Sequence, residues 1–124
     1  MTLKVLVVGA VALGPKVACR LKRLMPSADI TMIEKEERFS YGGCGIPYYV
    51  GGEVSEAMQL RTTSFHMLRD EAFFKNCKDI EVLTRTRVER IDRENRQIQI
   101  LREDGSTDAL PYDQLVLGTG RRPR

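Results

Sequence analysis

The stretch LKVLVVGAVALGPKVACRLKRLMPSADITMIE, residues 3–34, decides the fold of this 124-residue chain. Residues 3–8 form a short, β-branched apolar run that ends at Gly9 and predicts a buried parallel strand. Residues 12–25 have apolar side chains at helical spacing, and Val17, Leu21 and Leu24 share the face expected to be buried. Residues 29–34 predict a second strand. Strand, helix and strand at these lengths predict a right-handed βαβ unit.

Downstream of this unit, the pattern predicts a loop, a helix and short strands. Residues 41–52 are glycine-rich and predict a loop around a short helical turn. Residues 64–75 predict a helix that buries Phe65, Leu68, Ala72 and Phe73. Residues 80–83, 87–91 and 97–101 alternate as half-buried antiparallel strands do, and residues 115–117 predict a last buried strand. The predicted fold class is α/β: a Rossmann-like βαβ unit and parallel sheet with an antiparallel β insertion.

We expect one domain over residues 1–124, and we expect it to be the first part of a longer domain. The reason is that a parallel strand followed by glycines, here Gly118 and Gly120, normally leads into more structure. The composition, 42% hydrophobic and 30% charged, is ordinary for a globular protein. The net charge of +3 is too small to indicate nucleic acid as a partner. No apolar run approaches the ~18 residues of a membrane helix, so no membrane partner is expected.

The cysteines, Cys19, Cys44 and Cys77, are odd in number and scattered. Their spacing fits neither a disulfide framework nor a zinc site, so we expect no metal. A reducing cytoplasm is the simplest location for such a chain.

The turn between the first strand and the helix reads GAVALG, residues 9–14. Glycines at such a turn let backbone N–H groups approach a pyrophosphate at the positive end of the helix. Glu34 follows Gly14 by 20 residues, where a carboxylate can bind ribose hydroxyls. Val11 takes the place of the second glycine. A tight turn in another kind of α/β protein, with Glu34 as a surface charge, therefore stays open.

Glycines surround Cys44 in the stretch SYGGCGIPYY, residues 40–49. They favour an accessible thiol, and a helix start beside it would lower the thiol pKa. We interpret Cys44 as redox-active, although a free cysteine is more often a small buried hydrophobe. Cys19 and Cys77, placed in predicted helices, fit that second role better.

Lys16, Arg20 and Arg23 are spaced to form one basic stripe on the first helix. Such a stripe is either a solvated helix face or a surface that binds phosphates. His66 is the single histidine. We interpret it as a half-buried helix residue and assign it no catalytic role.

These motifs together resemble the pyridine nucleotide-disulfide oxidoreductases. The resemblance is strongest to the single-cysteine branch: coenzyme A-disulfide reductases, NADH oxidases and peroxidases, and coenzyme A-dependent sulfur or polysulfide reductases. SYGGCGIPYYVGG at 40–52 resembles the family's SFANCGLPYYIGG, with Gly43 in place of asparagine. GAVALG resembles GAVAGG, with Leu13 as a departure, and YDQLVLGTGRRP at 112–123 resembles YDKLVLATGARP.

The resemblance implies an FAD-dependent enzyme that takes hydride from NAD(P)H through a nicotinamide domain absent from this chain. It places Cys44 at the flavin. The residues that it implies for FAD are Gly9, Ala10, Val11, Ala12, Gly14, Glu34, Lys35, Val88, Thr119 and Gly120. Those that it implies for coenzyme A or another small thiol are Lys16, Arg20, Arg23, Ser40 and Lys78. It also implies a homodimer of the full-length protein, and this chain alone is not expected to turn over.

Three functions are compatible with these features. The leading hypothesis is a flavoprotein reductase of small disulfides, persulfides or polysulfides. The second is an NADH oxidase or peroxidase that cycles Cys44 through sulfenic acid. The third is a non-catalytic nucleotide-binding module or redox sensor.

Overall fold

The computed structural model describes residues 2–41, 46–63 and 67–121. The strands in this part are β1 (Lys4–Val8), β2 (Asp29–Ile33), β3 (Glu81–Leu83), β4 (Thr86–Asp92), β5 (Gln97–Arg102), β6 (Thr107–Pro111) and β7 (Gln114–Leu117). The helices are α1 (Leu13–Leu24), α2 (Ile46–Val50) and α3 (Glu71–Lys78), with a 3₁₀ helix at Ala57–Arg61. The order β3-β2-β1-β7 forms a parallel sheet, and β4-β5-β6 form an antiparallel one. The predicted α/β class with an antiparallel insertion is confirmed.

After the exposed Lys4, strand β1 is apolar because both faces of the parallel sheet are covered. Val5 and Val7 belong to a core that also contains Ala18 of α1 and Phe74 of α3. Leu6, which points to the opposite face, belongs to a second core with residues of β5. A central parallel strand buried on two sides requires such a continuous apolar run.

The fully buried residues of helix α1 are small ones that the prediction did not include. Gly14, Pro15 and Ala18 are buried, whereas Leu24 is 66% exposed. Small side chains let the helix backbone approach the strands closely, so the buried face is rotated away from the larger residues. Of the predicted core-facing stripe, Leu21 packs against the core and Val17 is half-buried, so the prediction is wrong for Leu24.

Helix α3 begins later than the sequence predicts. Asp70 caps it, because its side chain accepts the N–H of Phe73 at 2.9 Å. Leu68 lies before the helix, in an antiparallel bridge with Thr62, and residues 64–66 lie outside the described part. Phe74 is buried in place of Ala72, which is exposed. The prediction is right about a helix here and about Phe73, which packs against the core, but wrong about the start of the helix and about Ala72.

The strands differ from the prediction at three places. β3 pairs parallel with β2, not antiparallel, and so belongs to the main sheet. β6 was not predicted, since its exposed residues hide any apolar alternation. β7 is only partly buried, with Leu117 at 55% exposure, because among the described residues it has a strand neighbour, β1, on one side alone. No helix of the described part is long and apolar enough to cross a membrane.

The backbone at the start of α1 and the backbones that follow β1 and β7 are in close contact. Gly9 has a φ of +100°, and a Cβ on it would overlap the carbonyl oxygen of Gly118. A Cβ on Gly14 would overlap the carbonyl oxygen of Gly9. The two glycines of the turn are therefore required by space, and Gly9 by its backbone conformation as well.

We predict that Gly14→Ala lowers the free energy of unfolding by at least about 3 kcal/mol, because neither backbone can move away cheaply. Gly105→Ala is the matched control: its φ is +87° but no atom lies within 4 Å of the added Cβ. This control should lose only the ~1–2 kcal/mol of left-handed backbone strain. Equilibrium urea unfolding measures both. Equal losses would show that the close approach does not constrain position 14.

Candidate functional site

The start of α1 leaves backbone donors free of side-chain caps. Ala12 is the N-cap residue and makes no side-chain hydrogen bond, and the first turn has no acidic residue. Pro15 lacks an N–H, so the uncapped donors of this turn are those of Leu13 and Gly14. These donors and the positive end of the helix dipole suit an anionic group such as a pyrophosphate.

Glu34 is a buried carboxylate that fixes this turn. It is 7% exposed, and its Oε1 accepts the N–H of Ala10 at 3.1 Å. Its Oε2 accepts the N–H of Glu36 at 3.0 Å. Each oxygen keeps lone-pair capacity for a further donor, such as a ribose hydroxyl. The open alternative in which Glu34 is a surface charge is wrong.

A cavity of about 540 Å³, which we call the Glu34 cavity, opens beside this carboxylate. It lies between the carboxyl ends of the parallel strands and the antiparallel strand β4. Its lining includes six residues that the resemblance implies for FAD: Gly9, Glu34, Lys35, Val88, Thr119 and Gly120. Residues far apart in the sequence are thus brought to one place, at the edge of an α/β sheet where ligands bind.

The other four residues implied for FAD do not line the Glu34 cavity. Ala10 and Gly14 are buried, so they can offer a ligand only backbone groups. Ala12 is exposed at the start of α1. Val11 instead lines a second cavity of about 790 Å³. The turn therefore separates two cavities.

We call this second cavity the Arg61 cavity. Sequence reasoning missed it, because its charged residues belong to no motif and share no periodicity. Its lining is Val11, Glu36, Glu37, Arg38, Tyr41, Ile46, Tyr49, Ala57, Met58, Leu60 and Arg61.

The segment that leads toward Cys44 is attached to the turn between β1 and α1, residues 9–12, which we call the nucleotide turn. Phe39 is fully buried and packs on Phe74, with ring centroids 5.8 Å apart. Ser40 follows with a φ of 51° and donates its N–H to the carbonyl oxygen of Ala10 at 2.6 Å. Cys44, the predicted redox residue, lies outside the described residues, as does His66.

The residues implied for coenzyme A do not all share a surface. Lys16, Arg20 and Arg23 are exposed on α1, and Lys78 is exposed on α3. Ser40 is buried, at 4% exposure, so its side chain does not belong with the exposed cations. None of these five residues lines the Glu34 or the Arg61 cavity.

Arg23 and Lys78 come together beside Cys19. Burial raises the pKa of the Cys19 thiol, and the positive charges of Lys78 and Arg23 lower it in part. Two helices thus supply cations to one place, although the sequence separates them widely. Cys19 is half-buried, as expected for a structural thiol, but Cys77 is exposed on α3 and the prediction that it is buried is wrong.

We predict that alkylation of Cys19 rises with pH later than for an unperturbed thiol, whose pKa is about 8.5, because burial disfavours the thiolate. Lys78→Met should move this profile to still higher pH, since it removes a favourable positive charge. Lys75→Met on the same helix should leave it unchanged. Iodoacetamide labelling read by mass spectrometry gives the profiles. If Lys78→Met left the pH profile of Cys19 alkylation unchanged, the proximity of α3 to Cys19 would be disproved.

The parallel sheet, the uncapped helix start and the buried carboxylate define a dinucleotide-binding α/β protein. Residues 3–124 match the model of a family described as pyridine nucleotide-disulphide oxidoreductase, and the chain belongs to this family. Its members are FAD- and NAD(P)H-dependent oxidoreductases.

Two curated relatives and one solved structure show the range of similar proteins. The chain is 32% identical over 118 residues to the coenzyme A disulfide reductase of Staphylococcus haemolyticus, covering 94% of this chain and 26% of the relative. It is 29% identical over 121 residues to an NADH oxidase of Methanocaldococcus jannaschii, covering 98% and 26%.

The structure of an NAD-dependent persulfide reductase from A. fulgidus superimposes with a TM-score of 0.95 at 47% identity, covering 98% of this chain and 22% of that one. The chain spans about a quarter of the length of the curated relatives it matches.

Proposed function

We propose that this chain is the FAD-binding part of an NAD(P)H-dependent oxidoreductase that reduces small disulfides, persulfides or polysulfides through Cys44. The observation that supports FAD binding most strongly is the Glu34 cavity, which gathers six of the implied FAD residues around one buried carboxylate. The similarity to a coenzyme A disulfide reductase and to a persulfide reductase supports the sulfur substrate.

The described residues fit FAD by chemistry and by space. The Glu34 carboxylate would accept ribose hydroxyls, and the N–H groups at the start of α1 would bind the pyrophosphate. A side chain at Gly9 or Gly14 would force apart the backbone that forms this cradle. When bound, FAD supplies the capacity to accept hydride from NAD(P)H and to pass electrons to sulfur.

We predict that Glu34→Ala in the full-length protein weakens FAD binding at least about tenfold, because a charge-assisted hydrogen bond of ~1.5–3 kcal/mol is lost. Glu37→Ala is the control, since Glu37 is exposed and pairs with Arg85, and it should change the affinity less than twofold. FAD titration of the apoprotein gives the dissociation constants. Unchanged affinity in Glu34→Ala would rule out Glu34 as the ribose ligand.

The proposed sulfur chemistry needs one cysteine of this chain. Tyr49 stands five residues after Cys44, where dithiol reductases commonly carry a second cysteine, and Cys19 and Cys77 belong to α1 and α3. The Cys44 thiolate would attack a substrate sulfur, form a mixed disulfide and release the other half as a thiol. Two electrons and a proton from NAD(P)H would then cleave the mixed disulfide, release the bound half as a second thiol and restore the Cys44 thiolate.

The surface charges favour a sulfur substrate that is linked to coenzyme A. Arg23 and Lys78 lie beside Cys19, and Lys16 and Arg20 continue the exposed stripe on α1. Phosphate groups of coenzyme A are anions that such a surface would bind. We further expect a homodimer, from the resemblance, and a cytoplasmic location, from the scattered cysteines.

We predict that Cys44→Ser in the full-length protein keeps FAD but loses disulfide or persulfide reduction by at least about a hundredfold, since a hydroxyl replaces the nucleophilic thiolate. Mass spectrometry of the purified wild type should find a thiol or oxygen adduct on Cys44 and none on Cys19. Wild-type turnover by Cys44→Ser would assign the chemistry elsewhere.

The NADH oxidase relative favours a second candidate, in which Cys44 cycles through a sulfenic acid. Turnover of peroxide without any added thiol would favour this candidate. Coenzyme A released from the purified protein would favour the reductase.

A further inference from the structure

The Arg61 cavity contains a cation with an unpaired nitrogen. In the part of the chain that the structure describes, the Nε of Arg61 is buried and has no hydrogen-bond partner. The guanidinium lies over the ring of Phe39, with its carbon 5.7 Å from the ring centroid. A buried N–H donor without a partner is rare and calls for an acceptor.

The neighbouring Arg69 shows the opposite arrangement. Its Nε donates to the carbonyl oxygen of Arg61 at 3.1 Å, and its Nη2 donates to that of Leu60 at 2.9 Å. The backbone N–H of Arg69 also donates to the Arg61 carbonyl, at 2.9 Å. Arg69 therefore holds the backbone of the 3₁₀ helix in place, and Phe39 supports the side chain of Arg61. The charge of Arg61 is thus held in position, and no carboxylate of the described residues forms an ion pair with it.

The other charges of the cavity leave room for an anion. Glu36 and Glu37 line it, but Glu37 forms an ion pair with Arg85 at 2.8 Å. Arg38 adds a second cation to the lining. Arg85 also pairs with Glu103 at 3.4 Å, so it adds no net positive charge to the cavity. Among the described residues, Glu36 is the one carboxylate of the lining without an ion pair, and it faces two arginines, Arg38 and Arg61.

The remaining walls define where a ligand would sit. Ile46, Tyr49 and Met58 supply apolar and aromatic surface. Tyr41 and Ile46, which also line the cavity, are the described residues on either side of the segment that contains Cys44. The Arg61 cavity and the Glu34 cavity share no lining residue, so they are two distinct cavities.

We propose that Arg61 binds a small anion in this cavity, and that the anion is the charged sulfur end of a persulfide or polysulfide substrate. The identity of the anion as a sulfur substrate rests on the proposed function, whereas the anion-binding role of Arg61 rests on the cavity. Arg61 would then select charged sulfur substrates over neutral disulfides.

The test is calorimetric titration of the full-length protein with sodium thiosulfate, a small anion that carries a terminal sulfur. Arg61→Met keeps an unbranched apolar stem on Phe39 but removes the charge, and should raise the thiosulfate dissociation constant at least about tenfold. Arg61→Lys should stay within a few-fold of wild type. Arg93→Met, an exposed arginine in the β4–β5 turn, is the matched control and should match wild type. Equal affinity in Arg61→Met would overturn the proposal.

Two further measurements identify the source of the anion. Tighter binding of inorganic phosphate than of thiosulfate, or loss of FAD from Arg61→Met, would assign Arg61 to a cofactor phosphate and overturn the sulfur assignment. If the Arg61 variants do not fold, inhibition of the wild-type protein is measured instead. Thiosulfate should inhibit polysulfide reduction competitively, and non-competitive inhibition would overturn the proposal. Failure of this proposal can be distinguished from failure of the proposed function, because thiosulfate binding is measured without flavin reduction or sulfur turnover.

Discussion

The contact on which the rest of this structure depends is the approach of three backbones at Gly9, Gly14 and Gly118. No side chain can stand between them, because a Cβ on Gly9 or Gly14 would overlap a carbonyl oxygen of the neighbouring segment. The contact sets the distance of α1 from β1 and β7, and hence which helix residues are buried. Small residues face the sheet as a result, and the uncapped N–H groups of α1 lie at the end of the strands.

The carboxylate of Glu34 extends this arrangement to the following segment. Its two oxygens hold Ala10 and Glu36 through their N–H groups, and the Glu34 carbonyl accepts the N–H of Thr86 at 3.0 Å. The nucleotide turn, the end of β2 and the start of β4 are thereby joined at one residue. A carboxylate buried in this way is stable only because backbone donors compensate for lost water.

The sequence was sufficient for the βαβ unit because its signals are local. The apolar run of β1, the glycine at position 9 and the acidic residue at the end of β2 each act within one element or turn. The sheet to which β3 belongs could not be predicted in the same way. β3 is three residues long, and its parallel pairing with β2 depends on the position at which the chain leaves α3. The helical face of α1 was misjudged because periodicity detects large apolar residues, whereas a close approach buries small ones.

The residues of the candidate site likewise fall into those with a local sequence signal and those without one. Gly9, Glu34 and Thr119 could be named from motifs, since dinucleotide sites repeat those residue types at fixed places in the fold. Arg61 could not be named, because its interest arises from an unpaired Nε and from contact with Phe39, and both are products of tertiary packing.

Residues 34–41 form the wall between the two cavities, and the wall is fixed along its length. Glu34 is held by Ala10 and Thr86, the Glu36 carbonyl accepts the N–H of Arg85 at 3.2 Å, and Ser40 donates to Ala10 at 2.6 Å. Ligands on its two sides would therefore keep a constant relative position. If the proposed function is correct, such a wall would remove the need to reorder the site at each turnover, since folding already supplies the positioning.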